Sequence, residues 1–482
     1  LSDTNSTHNW FGPANTTEIE NRRNGNGVID NKTYLPFISS TVTNKYALDS
    51  STVLLTKTTT NLASDLDNYG NLDKSTTQVN NGYSTVESIT ESEFFVADTS
   101  NWWINKLKTS TITVKTLSGS ALHSSLLDPT KKIETSYTWT NSRQPDVVTI
   151  NPVQGGGIAS SVDTDYNDYG LPTSVTKSSS GEPSRSTSFT YSKNGTSEAV
   201  DGYFVYKTTN DLNHASTQQT YSAFGQPKQT TDANGLVSSF EYDPFGRVEK
   251  VTPPSGTGQP VYTRFADCVA GCSEISNSNI QYKVTTYQAG APQAVAYKDK
   301  LNRTVAAKTE GFSGTSIYAT TTFDNLGRTT FQSIPSFSKT EALGTRYYEF
   351  DVKNRPARKV VDQAFGGTMK VVYSYSGATT SITATSSNGG YTLGMSRIYN
   401  GSGQLMKTVD AKAGETQYAY DSMGNPIVLQ DANGNAITAT YNALGQKLTV
   451  DDPNMGSKTF AYNGLGEITS ESIGGADLAL SI

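Results

Sequence analysis

The sequence predicts an all-β protein, a winding array of antiparallel β-hairpins, and three observations predict it. Tyr399, Tyr420, Tyr441 and Tyr462 follow one another at a strict spacing of 21 residues, and Tyr221 and Tyr242 repeat that spacing. Each well-kept unit holds two turn signals, an Asp-or-Asn-x-x-Gly after the tyrosine and a second such as "DANG" at 232 and 431, which leaves room for two strands. The hydrophobic share is 34% with 27 Tyr counted, and exchanging Tyr for Gly gives only about 37% against the usual range of about 45 to 50%. That is a poor supply of core for a compact body of 482 residues, and a thin-walled object needs less.

The units can be followed along the chain. "EYDPFGRVEKVTP" (241 to 253), "YNGSGQLMKTVDA" (from Tyr399), "YDSMGNPIVLQDA" (from Tyr420), "YNALGQKLTVDD" (from Tyr441) and "YNGLGEITSES" (from Tyr462) are the clearest copies. Looser copies begin at Asp67, Tyr166, Tyr221, Tyr297, Phe323 and Phe350, with insertions between several of them. Asp or Asn opening a turn can accept hydrogen bonds from the backbone ahead of it, and Gly takes the positive-φ position that closes it. Gly246, Gly327, Gly424, Gly445 and Gly466 are therefore expected at positive φ. Between turns the alternation has period two: Ile437, Ala439 and Tyr441 share one face, as do Tyr418 and Tyr420, and Phe460 and Tyr462. A repeat of this length implies a stack in which each unit buries its apolar face against its neighbours. It is about half the length of a four-stranded propeller blade, so a continuous winding sheet is expected. "DDPNMG" (451 to 456) falls in the slot of the second turn and reads as a turn.

The abundance of Tyr, Phe, Thr and Val argues against disorder. The formal charge is −6, with Lys and Arg scattered among acids, so neither nucleic acid nor an anionic membrane is an expected partner. No apolar run reaches the length of a spanning helix. The chain opens "LSDTNSTHNW" without an initiator Met or an export segment, and it reads as a piece of a longer polypeptide.

The Tyr-Asp-x-x-Gly-Arg pattern is complete at Tyr242, Asp243, Gly246 and Arg247, and nearly so at Phe323, Asp324, Gly327 and Arg328. Related turns stand at Tyr420, Asp421 and Gly424, at Tyr441, Asn442 and Gly445, and at Tyr462, Asn463 and Gly466. This pattern resembles the YD repeats of RHS proteins. "TYLPFISSTVTNKYAL", "DTSNWWINKLKTSTIT", "FEYDPFGRVEKVTPP", the paired cysteines and "TEGFSGTSIYATTTFDNLGRT" are similar, in order, to the RHS segment of toxin-complex B-type and SpvB-linked proteins, over roughly residues 35 to 482. The resemblance implies a hollow β-shell that encloses a toxin polypeptide, carried on the same chain or on a C-type partner, with a delivery component as a further partner and a secreted or cell-surface location. The Asp-Pro-x-Gly type of self-cleavage signature and the toxin that end such proteins are not present. The expected organisation is a linker or the end of a preceding domain over 1–34, degenerate shell repeats over 35–160, and the YD/RHS repeat region over 161–482.

No catalytic residue, cofactor site or metal site is expected. Only His8, His123 and His214 exist, and there is no G-x-S-x-G elbow for nucleophilic hydrolysis. "RRNGNGVIDNKT" (22 to 33) places Asn24, Asn26, Gly27, Val28 and Asp30 like a calcium loop, but Arg22 and Thr33 stand where the first Asp and the bidentate Glu belong. "DTDYNDYG" from Asp163 fails in the same way, with Asp168 where Gly is needed and Ser174 at the end. Trp102 and Trp103, read as neighbours on one strand, would face opposite sides, which favours wall packing over a sugar platform. Cys268 and Cys272 form half a zinc site with nothing nearby to complete it, leaving a local disulfide or two free thiols. The inward positions of segments such as "NAITATY" and "TQYAY" offer Ala, Tyr and Thr, a mixture suited to a lumen that holds a foreign chain by many weak contacts. The alternative function is an extracellular adhesive or carbohydrate-binding array, and a glycan-active enzyme stands behind both.

Overall fold

The computed structural model describes residues 2–11, 35–47, 51–67, 69–119, 130–268, 272, 275, 279–338, 343–364, 366–474 and 476–479. Among them are 35 strands and one three-residue 3-10 turn, Ala63–Asp65. Every strand pairs antiparallel with the next in sequence, from Ser2–Phe11 against Leu35–Tyr46 to Ile468–Ile473 against Ala476–Ala479. The result is one long meandering ribbon whose strands run across its width and whose turns form its two rims. One rim carries the turns that follow the tyrosines, the other the turns that follow the second strands.

Serine and threonine line up across this ribbon because both faces meet water for much of its length. Thr59 and Thr77 (3.0 Å), Ser161 and Ser178 (2.9 Å) and Thr440 and Thr449 (2.7 Å) join hydroxyl to hydroxyl between neighbouring strands. Cross-strand ion pairs such as Lys250–Glu241 and Lys407–Glu415 add to the ladder. Each such pair contributes a few tenths of a kcal/mol to about 1 kcal/mol, and it is their number that matters. The wall is thin: the accessible surface is 28152 Å² for 51.8 kDa, whereas a compact monomer of that mass exposes about 17,000 Å². Apolar burial is confined to patches, among them Cys268, Ile275, Ile280, Val295, Tyr297, Val305, Ala306 and Tyr318 around one hairpin series, and Ala419, Ile427 and Val428 in another.

Strict period-two alternation gives way at Tyr242, Tyr399, Tyr420, Tyr441 and Tyr462. Ala419 faces Val428 but Tyr420 faces Pro426, so Ile427 is an extra residue, a β-bulge. The same shift leaves Val305 extra opposite Tyr297–Lys298 and Met406 extra opposite Ile398–Tyr399. These three bulged residues are buried. Bulging is what lets Ile427 and Val428, neighbours in sequence, both be buried.

The ribbon also winds back onto itself. Rim turns 282 and 290 residues apart meet at Arg185–Glu467 and Lys131–Asp421. The Gly401 N–H donates to the Asn81 carbonyl (2.9 Å) and the Ala443 N–H to the Gly155 carbonyl (3.0 Å). The tyrosine-turn rim of residues 400–467 thus lies along the opposite rim of residues 54–185. Two successive coils are joined edge to edge by turn tips, at right angles to the hydrogen bonding that holds each coil together.

Candidate functional site

The repeated turn is the chemically distinctive element of the chain. At Asp243 one carboxylate oxygen accepts the N–H groups of Phe245 and Arg247 (both 2.9 Å), and the other accepts the Arg247 Nε–H (2.6 Å). The Gly246 N–H closes the turn on the Asp243 carbonyl (3.0 Å). Asp299 with Arg303, Asp324 with Arg328, and Asp351 with Arg355 repeat the pattern. Burial is the largest single influence on these carboxyls and pushes them upward, but the arginine and the backbone N–H groups together outweigh it and hold all four below the usual carboxylate range. Gly246, Gly327, Gly424, Gly445 and Gly466 lie at φ of 78°, 82°, 90°, 77° and 89°. Asn302 and Asn354 hold the equivalent position at 63° and 61°, a region asparagine enters more readily than other side chains.

Each arginine is held from two sides. Its carboxylate partner lies within its own turn, and the next rung supplies an aromatic face: Arg247 over Phe265 (3.7 Å), Arg303 over Phe323 (4.4 Å), Arg328 over Phe350 (4.4 Å) and Arg355 over Tyr375 (3.6 Å). This aromatic ladder was not foreseen from the sequence, although Phe323 and Phe350 open repeats there. The tyrosines reach the other way. Tyr242 donates its hydroxyl to the Pro227 carbonyl (2.7 Å) and Tyr420 to the Leu405 carbonyl (2.8 Å), and burial pushes both phenols up. Tyr441 packs on the Ala419, Ile427 and Val428 cluster, and Tyr462 ends the strand Gly456–Tyr462.

The turns from 400 onward keep the backbone geometry and change the side-chain pairing. Asn442 accepts the Leu444 and Gln446 N–H groups (3.0 and 2.9 Å) and donates its amide to Gln446 Oε1 (2.5 Å). Asn463 does the same with Leu465 and Glu467. Asp421 Oδ2 accepts the Asn425 amide (2.9 Å), and Lys131 of the other coil is paired with that same oxygen, the Lys131 and Asp421 side chains being almost wholly buried.

The remaining candidates fall apart in space. Cys268 and Cys272 form a disulfide. Trp102 and Trp103 occupy a turn closed by Asp98 rather than a strand, which corrects the face argument made from their adjacency. Trp102 sits at φ 53° and is 73% exposed, while Trp103 packs edge-on against Trp139 at 6.0 Å with Lys106 above its ring at 4.3 Å. Asp163 lies in the strand Ser160–Tyr166, and Asp168 lies in the hairpin turn that follows it. "DDPNMG" spans the end of Lys447–Asp452 and the hairpin turn after it. His214 closes a turn on Asn210, His8 pairs with Ile38 through the backbone, and His123 and the 22–33 stretch lie outside the described residues. Among the described residues no group of three or more His, Cys, Asp or Glu could hold a metal ion, and no helix is long and apolar enough to cross a membrane.

The RHS repeat family model matches residues 221–257 and 399–436, the stretches in which these turns are best kept. Those two stretches carry RHS repeats. The chain's fold is similar to solved toxin-complex structures, over 98% of its own length. Against the TcdB2–TccC3 crystal structure the TM-score is 0.68 at 11% identity, covering 30% of that chain. Against the Photorhabdus luminescens Tc holotoxin pore it is 0.69 at 11% identity, covering 32% of that chain. A TcdB2–TccC3 structure without the hypervariable C-terminal region matches at 0.59 and 12% identity, covering 34%. The chain thus spans about a third of these neighbours. No curated protein matches it in sequence. Its all-β architecture is the fold it shares with these structures.

Proposed function

We propose that this RHS segment is wall: a non-catalytic part of a shell that encloses a toxin polypeptide, supplied by the same chain or by a C-type partner, and protects it until a delivery component engages. The observation that carries this reading is the edgewise seam, because a one-layer ribbon whose turns dock on turns roughly one coil earlier bounds a space instead of filling it. The excess of accessible surface over that of a compact body supports the same reading, as does the likeness in fold to toxin-complex structures. On this reading residues 35–160 and 161–482 form one continuous wall, the cargo is held by weak contacts with Ala, Tyr and Thr, no cofactor takes part, and the parent protein is secreted or displayed at the cell surface. Limited proteolysis of the parent protein with its cargo region or partner present is the test. Cargo cleaved many-fold more slowly than free cargo is the expected result. Digestion at the free rate while the wall stays intact would refute the container, and binding of the purified chain on a glycan array would then favour the adhesive alternative.

A further inference from the structure

The turns on the tyrosine rim differ at their second and fifth positions, and those that touch the other coil share one pattern at both. Four turns that make no hydrogen bond to another coil among the described residues have arginine at the fifth position and Pro244, Lys300, Asn325 or Val352 at the second; Val352 is 86% exposed. The four turns covered by the other coil have Gln404, Asn425, Gln446 or Glu467 at the fifth position and Gly401, Ser422, Ala443 or Gly464 at the second. Small size there is required by contact. A Cβ on Gly401 would stand 1.9 Å from the Leu54 carbonyl oxygen, one on Gly464 would stand 1.6 Å from Ser179 Oγ, and Ala443 is 0% exposed against Gly155.

We propose that the seam between coils is a recognition surface read by these two turn positions. The rim formed by Leu54, Asn81, Gly155 and Ser179 accepts a turn whose second residue is no larger than serine and whose fifth is not arginine. At Asp421 the cation that an arginine turn supplies from within comes instead from Lys131 Nζ of the other coil, which joins the Asn425 amide on the same carboxylate oxygen, so the charge of this carboxylate is matched only when the coils are in register. One buried charge pair then fixes which repeat meets which, a use of buried ions for register that other folds also show. The arginine turns disfavour such a partner because their aspartates reach only the Nε and Nη2 side of the guanidinium, and covering it would strip water from its other N–H groups. Ser222–Gln226 sharpens the rule: it has Ala223 and Gln226 yet makes no hydrogen bond to another coil among the described residues, as is also true of Asp67–Asn71 with its fifth-position asparagine, so these residues permit docking without enforcing it.

Ser222–Gln226 provides the control. Amide hydrogen exchange in the purified chain would be compared for Ala443→Val and Ala223→Val, and for Asn425→Arg and Gln226→Arg. Asn425→Arg gives Asp421 an in-turn partner of the Asp243–Arg247 kind, so the turn keeps its fold while Lys131 loses its place. The expected result is at least tenfold faster exchange of the Gly401 and Ala443 amides, both donors across the seam, in Ala443→Val and Asn425→Arg. Strand amides should stay protected, and both variants on the open turn should be silent. Seam amides unchanged in both covered-turn variants, or equal effects on the covered and open turns, would overturn the proposal. Loss of strand protection in Asn425→Arg along with the seam would overturn it as well.

Discussion

Gly445 isolates the energetics of the repeated turn, because its surroundings leave room for a side chain. It lies at φ 77°, and a Cβ built there meets nothing nearer than Asn425 Oδ1 at 3.8 Å. Substitution therefore measures backbone strain with almost no steric contribution. An L-residue in the left-handed region is destabilised by about 1 to 2 kcal/mol, Asn by less because it enters the region readily, and a β-branched residue by more. Ala413, at φ 65°, shows that alanine is tolerated in such a turn. We predict destabilisation of about 0.5 kcal/mol for Gly445→Asn, about 1 kcal/mol for Gly445→Ala and about 2 kcal/mol for Gly445→Val. Repeat arrays need not unfold in a single step, so the urea midpoint should be read together with exchange of the Gln446 amide, which Asn442 Oδ1 accepts at 2.9 Å. Valine no more harmful than asparagine would refute the positive-φ turn as the source of the glycine requirement.

Acid should loosen the arginine turns. The carboxyls of Asp243, Asp299, Asp324 and Asp351 are held below their ordinary value in the folded chain, so their stabilisation is fully present above the unfolded value, about 3.9, and is lost as pH falls through the lower folded values. Thermal midpoints at pH 6 should exceed those at about pH 2.5, and Asp299→Asn should narrow the difference; a flat profile would contradict the assignment. Tyr420→Phe removes the hydroxyl that reaches the Leu405 carbonyl at 2.8 Å and should destabilise by about 1 kcal/mol, measurable as a lower urea midpoint, whereas Tyr391→Phe, half-exposed in a second-rim turn, should change it little.

The local structure was legible because it depends on neighbours in sequence. The tyrosine spacing marks strands such as Val237–Tyr242 and Ala436–Tyr441, and the Asp-or-Asn-x-x-Gly signal marks their turns, since an Asx turn is closed by its own five residues. Faces were legible only up to tyrosines such as Tyr420. The bulge at Ile427 shifts the phase of alternation, and a pattern of period two has no place for an extra residue. Contacts between coils were not legible at all: nothing near Lys131 or Asp421 points to a partner 290 residues away, because that pairing depends on the curvature accumulated over a whole coil. Aligning the repeats against one another did hold a trace of it, in the small residues Gly401, Ser422, Ala443 and Gly464, whose common reason is visible only once Leu54 and Ser179 are seen above two of them. The Trp102–Trp103 pair was misread because adjacency was taken for strand geometry where Asp98 closes a turn.

Edge-to-edge joining gives the wall two very different strengths. Along its length the ribbon is laced by strand hydrogen bonds, but from coil to coil it is fastened at discrete points, Gly401, Asp421, Ala443 and Glu467, set close to 21 residues apart. A load applied at one end of the later coil would meet these fastenings one at a time. Each release would free the edge of one hairpin whose strands stay bonded to their neighbours, so the ribbon would peel by about two strand spacings, roughly 10 Å, leaving the rest of the seam closed. Such a wall tears in steps, and the force needed is set by the weakest fastening still holding instead of by the sum of them all.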